Sequence, residues 1–266
     1  MDFLRLSRRK LAVYALIGLS CGFVTSLVGV STSLFLVPVM VFLLGWSQRT
    51  AQGTALAVSL PPVSILAALD YYRHGEVHLK AALIMALGIF LGGYLGGKLA
   101  MKIPQHILRL LFGALLLLIS LKMLLLSGQE MVSPQMLHDL RLHEYLTLFF
   151  LAYLVGIFSG MVGIGGAIIL QPVLIYLMAW PEKLADGTMV AMLLPPVSLL
   201  AVINYYKAGQ VKVSTAAIIA VLVIFGAYLG SMASNHLPSA VLSKLFAVLA
   251  LLVAIKMLWG RKPKPE

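Results

Sequence analysis

The sequence predicts an all-α polytopic membrane protein made of two homologous four-segment repeats. That gives about 8 membrane segments, or up to about 10 if the first helix of each repeat is a broken hairpin. Three observations carry this prediction. The 266-residue chain is 61% hydrophobic and only 11% charged, with a mean hydropathy of +1.00. A soluble domain carries about 25% charged residues and needs them to cover its surface. Gly22 to Leu126 aligns without a gap on Gly156 to Gly260, a constant shift of 156 − 22 = 134 residues. Roughly 40 of the roughly 105 paired positions are identical, far above what two unrelated apolar stretches share. Finally, no charged residue falls between Leu11 and Arg49 or between Tyr145 and Glu182.

Each charge-free run would make a straight helix of roughly 55 Å, against a hydrocarbon core of about 30 Å. Each also has a soft centre, Gly29-Val30-Ser31-Thr32-Ser33 in copy one and Gly163-Ile164-Gly165-Gly166 in copy two. The first element of each copy is therefore expected to be two helical pieces joined by a non-helical turn at membrane depth. Such backbone survives there only when buried in protein or lining a cavity. A second segment runs from about Thr50 to Tyr72 (Leu184 to Tyr206), with Pro61-Pro62 (Pro195-Pro196) in its middle. The third runs from about Leu79 to Met101 (Val213 to Asn235) and carries Gly-x-x-x-Gly spacing at Gly92/Gly96, Gly93/Gly97 and Gly226/Gly230, which suits close helix approach. A fourth starts at Pro104 (Pro238), a good first helical position, and ends near Leu126 (Trp259). The repeats are thus 11–126 and 144–260, joined by a polar linker at 127–143. A hairpin as first element makes each copy cross an odd number of times and inverts the copies; a single broken crossing leaves them parallel. Run length favours the hairpin, and inversion is the expectation.

The net charge of +11 sits in short clusters beside apolar runs, Arg5, Arg8, Arg9 and Lys10 at the start and Arg261, Lys262 and Lys264 at the end. That pattern marks cytoplasmic tails and places both termini on the cytoplasmic side. Nothing alternates basic with aromatic residues as a single-strand binder would, so no nucleic-acid partner is expected. The single cysteine, Cys21, rules out an internal disulfide. Cys21-Gly22 superficially resembles a lipoprotein signal, yet it aligns with Val155-Gly156 inside copy two, so the stretch reads as a permanent helix.

Enzyme signatures are missing from the sequence: there is no H-E-x-x-H, no G-x-S-x-G and no P-loop lysine motif. The histidines lie in loops and at helix ends without metal-ligand spacing, and no cofactor or metal is expected. The matched breaks point elsewhere. A helix that starts after a break presents bare N–H groups and the positive end of its dipole, which attract an anion. Candidate substrate contacts are therefore Gly29, Ser31, Thr32 and Ser33 in copy one and Gly163, Gly165 and Gly166 in copy two. Pro61, Pro62, Pro195 and Pro196, which free carbonyls in the preceding turn, form a second set with Ser64 and Ser198 just beyond. Any one of these residues serves equally well as a kink or packing device; the whole set repeated at one shift favours a substrate cavity. Thr54 and Thr188 each follow a glycine and either line the cavity or bond back to their own helix. Gln171 stands where copy one has Val37 and either sets substrate preference or bonds a neighbouring helix. Asp70 and Asp186 are candidates for proton coupling, with helix capping as the plainer role. Lys122 and Lys256 read as snorkelling residues, and the tyrosine pairs 71–72 and 205–206 as an interfacial aromatic belt.

Gly163-Ile164-Gly165-Gly166 followed by Pro172, then Gly187-Thr188, the Pro-Pro pair and Tyr205-Tyr206-Lys207-Ala208-Gly209 together resemble the sulfite exporter TauE/SafE permeases. The resemblance spans almost the whole chain. It implies a two-halved transporter of sulfite, sulfonates, sulfoacetate or related small anions. Copy one departs from the pattern, with Ser31-Thr32-Ser33 where the family is richer in glycine, so hydroxyl contacts are expected to stand in for close backbone approach. The expected function is a secondary transporter of small sulfur oxyanions in the bacterial inner membrane, in which one half moves against the other. A passive anion channel and a non-transporting membrane scaffold are the alternatives. The expected partners are the anion, the lipid bilayer and a coupling proton; the sequence leaves oligomeric state open.

Overall fold

A computed structural model describes residues 8–28, 31–61, 65–125, 140–176, 178, 180–234 and 239–259. Gly29, Pro62, Ser64 and most of the 127–143 linker lie outside the described residues, as do the side chains of Asp70 and Lys122. The described residues form helices and no strand. Copy one holds α1 (Arg8–Val28), α2 (Ser33–Leu43), α3 (Gln48–Val58), α4 (Ile65–Arg73), α5 (Leu79–Lys102) and α6 (Gln105–Leu125). Copy two repeats the series as α7 (Leu142–Val162), α8 (Ala167–Tyr176), α9 (Glu182–Met192), α10 (Leu199–Lys207), α11 (Val213–Ser234) and α12 (Ser239–Trp259). Among the described residues, three stretches are long and apolar enough to cross a membrane unaided: Leu79–Lys102, Leu142–Val162 and Val213–Gly230.

Both expected breaks are present. The first element folds back as a hairpin: Thr25 and Thr32 bring their hydroxyls to 3.3 Å where α1 gives way to α2. At the other end the Trp46 ring lies 6.4 Å from that of Tyr14, near the start of α1. Helix α3 then retraces α2, with Ser33 and Ser59 hydroxyls 3.4 Å apart. The Pro-Pro segment is not one kinked helix but two, α3 and α4 (α9 and α10). Two successive prolines remove two donors, and each pushes the residue before it out of the α region, so the ladder stops instead of bending.

Side-chain contacts fix the directions of α5 and α11. Arg49, at the start of α3, donates from Nε and Nη2 to the carbonyls of Ala100 and Ile103 at the end of α5 (3.0 and 2.7 Å). The start of α5 lies at the opposite end of the molecule, where the amide of His78 donates to Thr188 on α9 (3.0 Å) and its ring stacks on Trp180 at 6.0 Å. Helix α11 starts beside α3 instead: the Lys212 amide donates to Thr54 (3.2 Å) and its ammonium sits 4.6 Å over Trp46. Matched helices α5 and α11 therefore run in opposite directions, and the copies are inverted. The end holding the starts of α1, α3 and α11 is called the first end; the starts of α5, α7 and α9 mark the second.

The copies are interlocked. Gly92 and Gly96 of α5 press on α7 so closely that a methyl group at either would overlap the Tyr153 or Ile157 carbonyl. Gly226 and Gly230 of α11 do the same to Leu19 and Phe23 of α1. Each tight pair takes one helix from each copy and runs parallel. The packing units are thus mixed, each joining a helix of one copy to a helix of the other through close glycine contacts. The outward faces stay apolar, as in Leu83, Leu87 and Leu91 on α5 and Leu146, Phe150 and Leu154 on α7.

Candidate functional site

The two hairpin breaks meet. Ser31 Oγ donates to the Ile164 carbonyl at 3.1 Å, joining the break of copy one to that of copy two across 133 positions of sequence. A methyl built on Gly165 would lie 3.8 Å from Ser31 Oγ, and one on Gly166 would lie 2.9 Å from Ile89, mid-way along α5. The junction therefore sits near mid-height of the molecule.

The breaks are built by different chemistry. Gly163, Gly165 and Gly166 have φ of 79°, 79° and 77°, a left-handed run that costs other residues about 1–2 kcal/mol each. Gly163 closes α7 by donating its amide to Ser159 (2.7 Å), and α8 makes its first backbone bonds at Ile169 and Leu170, to Gly166. The amides from Gly166 to Ile168 precede those bonds, the usual orphan donors of a helix start. In copy one, Thr32 has right-handed φ and makes no side-chain cap; α2 is closed instead by Leu34 N–H to Ser31. Hydroxyls take the place of glycines there, with Thr32 facing Thr25 and Ser33 facing Ser59.

The Pro-Pro breaks reach the same region. Antiparallel helices α3 and α10 cross where Ser198 Oγ donates to the Leu56 carbonyl at 3.5 Å. Pro61 and Pro196 are exposed and Pro195 is half-buried; the carbonyls of Pro195 and Pro196 accept from Val197 (2.7 Å) and Leu199 (2.9 Å). A narrow cleft lies between the elements, lined by Leu56, Ile89, Gly93, Gly156, Ser159, Gly160, Gly165, Val197, Ser198 and Ala201. It is so tight that it would admit no more than about one water.

Other candidates fall away from this junction. The hydroxyls of Thr54 and Thr188 latch the loops that open α11 and α5, each in the opposite copy. Gln171 does bond a neighbouring helix: its Nε2 donates to Asp186 at 2.6 Å, joining α8 to α9. The backbone of Asp70 lies on α4. The tyrosine pair of copy two is split between two environments. Tyr206 is exposed, whereas Tyr205 is fully buried, its hydroxyl 3.1 Å from the carbonyls of both Gly160 and Met161 at the end of α7.

Sequence reasoning missed Ser159, Gln52 and Tyr205. Ser159 was within reach, because it matches Thr25 at the 134-residue shift and both carry a hydroxyl one turn before a break. Nothing in the sequence marks Gln52 or Tyr205 as buried, since both stand close to polar or interfacial residues.

The model of the family described as sulfite exporter TauE/SafE matches residues 4–123 and again 147–266, once per copy. The chain belongs to the sulfite exporter TauE/SafE family. Its similarity to curated relatives runs nearly end to end. A protein named "Probable membrane transporter protein" from Xylella fastidiosa (strain Temecula1) is 29% identical over 243 residues, 90% of this chain and 91% of the relative. "Probable membrane transporter protein YdhB" from Bacillus subtilis (strain 168) is 27% identical over 241 residues, 86% and 91%. "Probable membrane transporter protein YunE" from the same organism is 22% identical over 266 residues, 93% and 97%. No solved structure matches the chain significantly. This TauE/SafE protein is thus a membrane-embedded member of a transporter family, and its breaks fall at matched places in both matched segments.

Proposed function

We propose that this protein is a secondary transporter of small sulfur oxyanions, sulfite or an organosulfonate, which bind where the two hairpin breaks meet. The observation that supports this best is the Ser31–Ile164 contact, with the left-handed Gly163–Gly166 turn beside it. Three helices, α2, α8 and α10, begin around this point, so the positive ends of three dipoles lie close to one place. Discontinuous helices meeting at mid-height in inverted repeats are a transporter's way of holding an anion.

The narrowness of the cleft favours alternating access over a standing pore. Because α1 pairs with α11 and α5 with α7, the moving bodies in this scheme each draw helices from both copies. Basic residues are more numerous at the first end, with Arg8, Arg9, Lys10, Arg49, Lys102, Lys207 and Lys212, than at the second, with Arg73, Lys80, Arg141 and Lys183 among the described residues. That excess supports a reading in which the first end faces the cytoplasm of a bacterial inner membrane, with both termini inside. Asp186 is the candidate site for a coupling proton.

The test is uptake of radiolabelled sulfite, sulfate and methanesulfonate into proteoliposomes, with and without a pH gradient. Saturable flux of one of them that responds to the gradient, with the response lost in Asp186→Asn, is the expected result. Non-saturating flux blind to the gradient would make the protein a channel, and no flux a scaffold.

A further inference from the structure

We infer that Gln52 is a substrate contact of this transporter: its side-chain amide donates to an oxygen of the transported anion. Gln48, one turn earlier on α3, is the next polar contact toward the first end. The inference rests on the transport reading above and names a residue on which that reading is silent.

Gln48 and Gln52 are 2% and 0% exposed. Spaced i, i+4, they lie one above the other on the same face of α3. Among the described residues, Gln52 Nε2 and both polar atoms of Gln48 have no hydrogen-bond partner. A buried donor without an acceptor is costly, and more so where no water can reach it. Two such groups on one helix face call for an explanation.

Copy two shows what a satisfied version looks like. The position matched to Gln52 is Asp186, whose Oδ1 accepts from Gln171 Nε2 at 2.6 Å. The position matched to Gln171 is Val37, fully buried and apolar. The chain thus supplies an internal partner in one copy and withholds it in the other. Gln52 also stands against the break: a methyl on Gly163 would lie 2.8 Å from Gln52 Cβ, and Gln52 Oε1 is 3.5 Å from the Tyr205 hydroxyl. Its free end is therefore the N–H₂ group. Two neutral N–H donors suit a sulfur oxyanion that must be released again, where an arginine would bind it too firmly. A carboxylate there would repel it.

The experiment compares wild type, Gln52→Met and Gln52→Glu in proteoliposomes, reading KM and maximal rate of radiolabelled sulfite uptake, and thermal unfolding with and without sulfite. Gln52→Met is expected to unfold no earlier than wild type without anion, since it removes an orphan donor, while KM rises about tenfold or more and sulfite stabilises it less. Gln52→Glu is expected to lose uptake at neutral pH. Earlier unfolding of Gln52→Met with an unchanged KM would make the residue structural and overturn the inference. If Gln52→Met fails to assemble, Gln52→Asn, which withdraws the amide by one methylene, carries the same test. Failure of both to assemble also overturns the inference, because the side chain is then needed for packing. Wild type that neither transports nor is stabilised by sulfite, sulfate or methanesulfonate overturns the transport reading itself, and this inference with it.

Discussion

Gly163 and Gly165 share a left-handed φ of 79° but not their surroundings, and replacing each by alanine separates backbone strain from packing. At Gly165 the added methyl meets only Ser31 Oγ at 3.8 Å. Its cost is the left-handed strain of about 1–2 kcal/mol, partly offset by about 0.4–1 kcal/mol from a stiffer unfolded chain, so the net loss is about 0–1.6 kcal/mol. At Gly163 the methyl lies 2.8 Å from Gln52 Cβ and 3.0 Å from Gln52 Cα, and the backbone of α3 cannot yield cheaply. Overpacking adds about 1–3 kcal/mol, for a total near 3. Thermal unfolding in detergent should therefore rank Gly163→Ala well below Gly165→Ala, with Gly165→Ala close to wild type. Sulfite uptake should fall steeply in Gly165→Ala all the same, because its methyl occupies the junction with Ser31. Equal destabilisation by the two, or wild-type uptake by Gly165→Ala, would refute this assignment of roles.

Inversion predicts opposite accessibility for matched positions: in otherwise cysteine-free protein, His74→Cys and Ala208→Cys should be labelled by an impermeant maleimide from opposite sides of the membrane. Labelling from one side would mean parallel copies. Gly96→Leu places a side chain against the Ile157 carbonyl and should prevent α5 and α7 from docking, costing about 3 kcal/mol or more; properly folded yield by gel filtration is the readout. Thr188→Val leaves the His78 amide without its 3.0 Å acceptor. It should cost about 1–3 kcal/mol in thermal unfolding without changing the KM for sulfite.

Much of this architecture was legible in the sequence because its causes are local. Gly163, Gly165 and Gly166 permit the left-handed φ that the break needs and that other residues adopt only at a cost, and Pro195-Pro196 remove donors wherever they stand. Matched positions then revealed the two copies. Partner choice was not legible: Gly92 and Gly96 announce a close helix contact but carry no address, so the pairing of α5 with α7 instead of a helix in its own copy had to come from the structure. Tyr205 and Tyr206 are adjacent and alike, yet one is buried and one exposed, a difference set by the helix end that Tyr205 happens to face. Gln52 is polar beside polar residues, and only packing against Gly163 shows it to be enclosed. For Thr54 and Thr188, glycine neighbours drew attention to a cavity, while the structure shows their hydroxyls bonded to loop amides of the other copy.

The most direct measurement of whether an anion rests between the two interrupted hairpins is anomalous diffraction from crystals grown with selenite, a heavier relative of sulfite. The expected map has one selenium peak within hydrogen-bonding reach of groups from both copies, among Ser31, Gly165, Gly166 and Gln52. A continuous helix through 163–166, or selenium bound only at the molecular surface, would contradict the account.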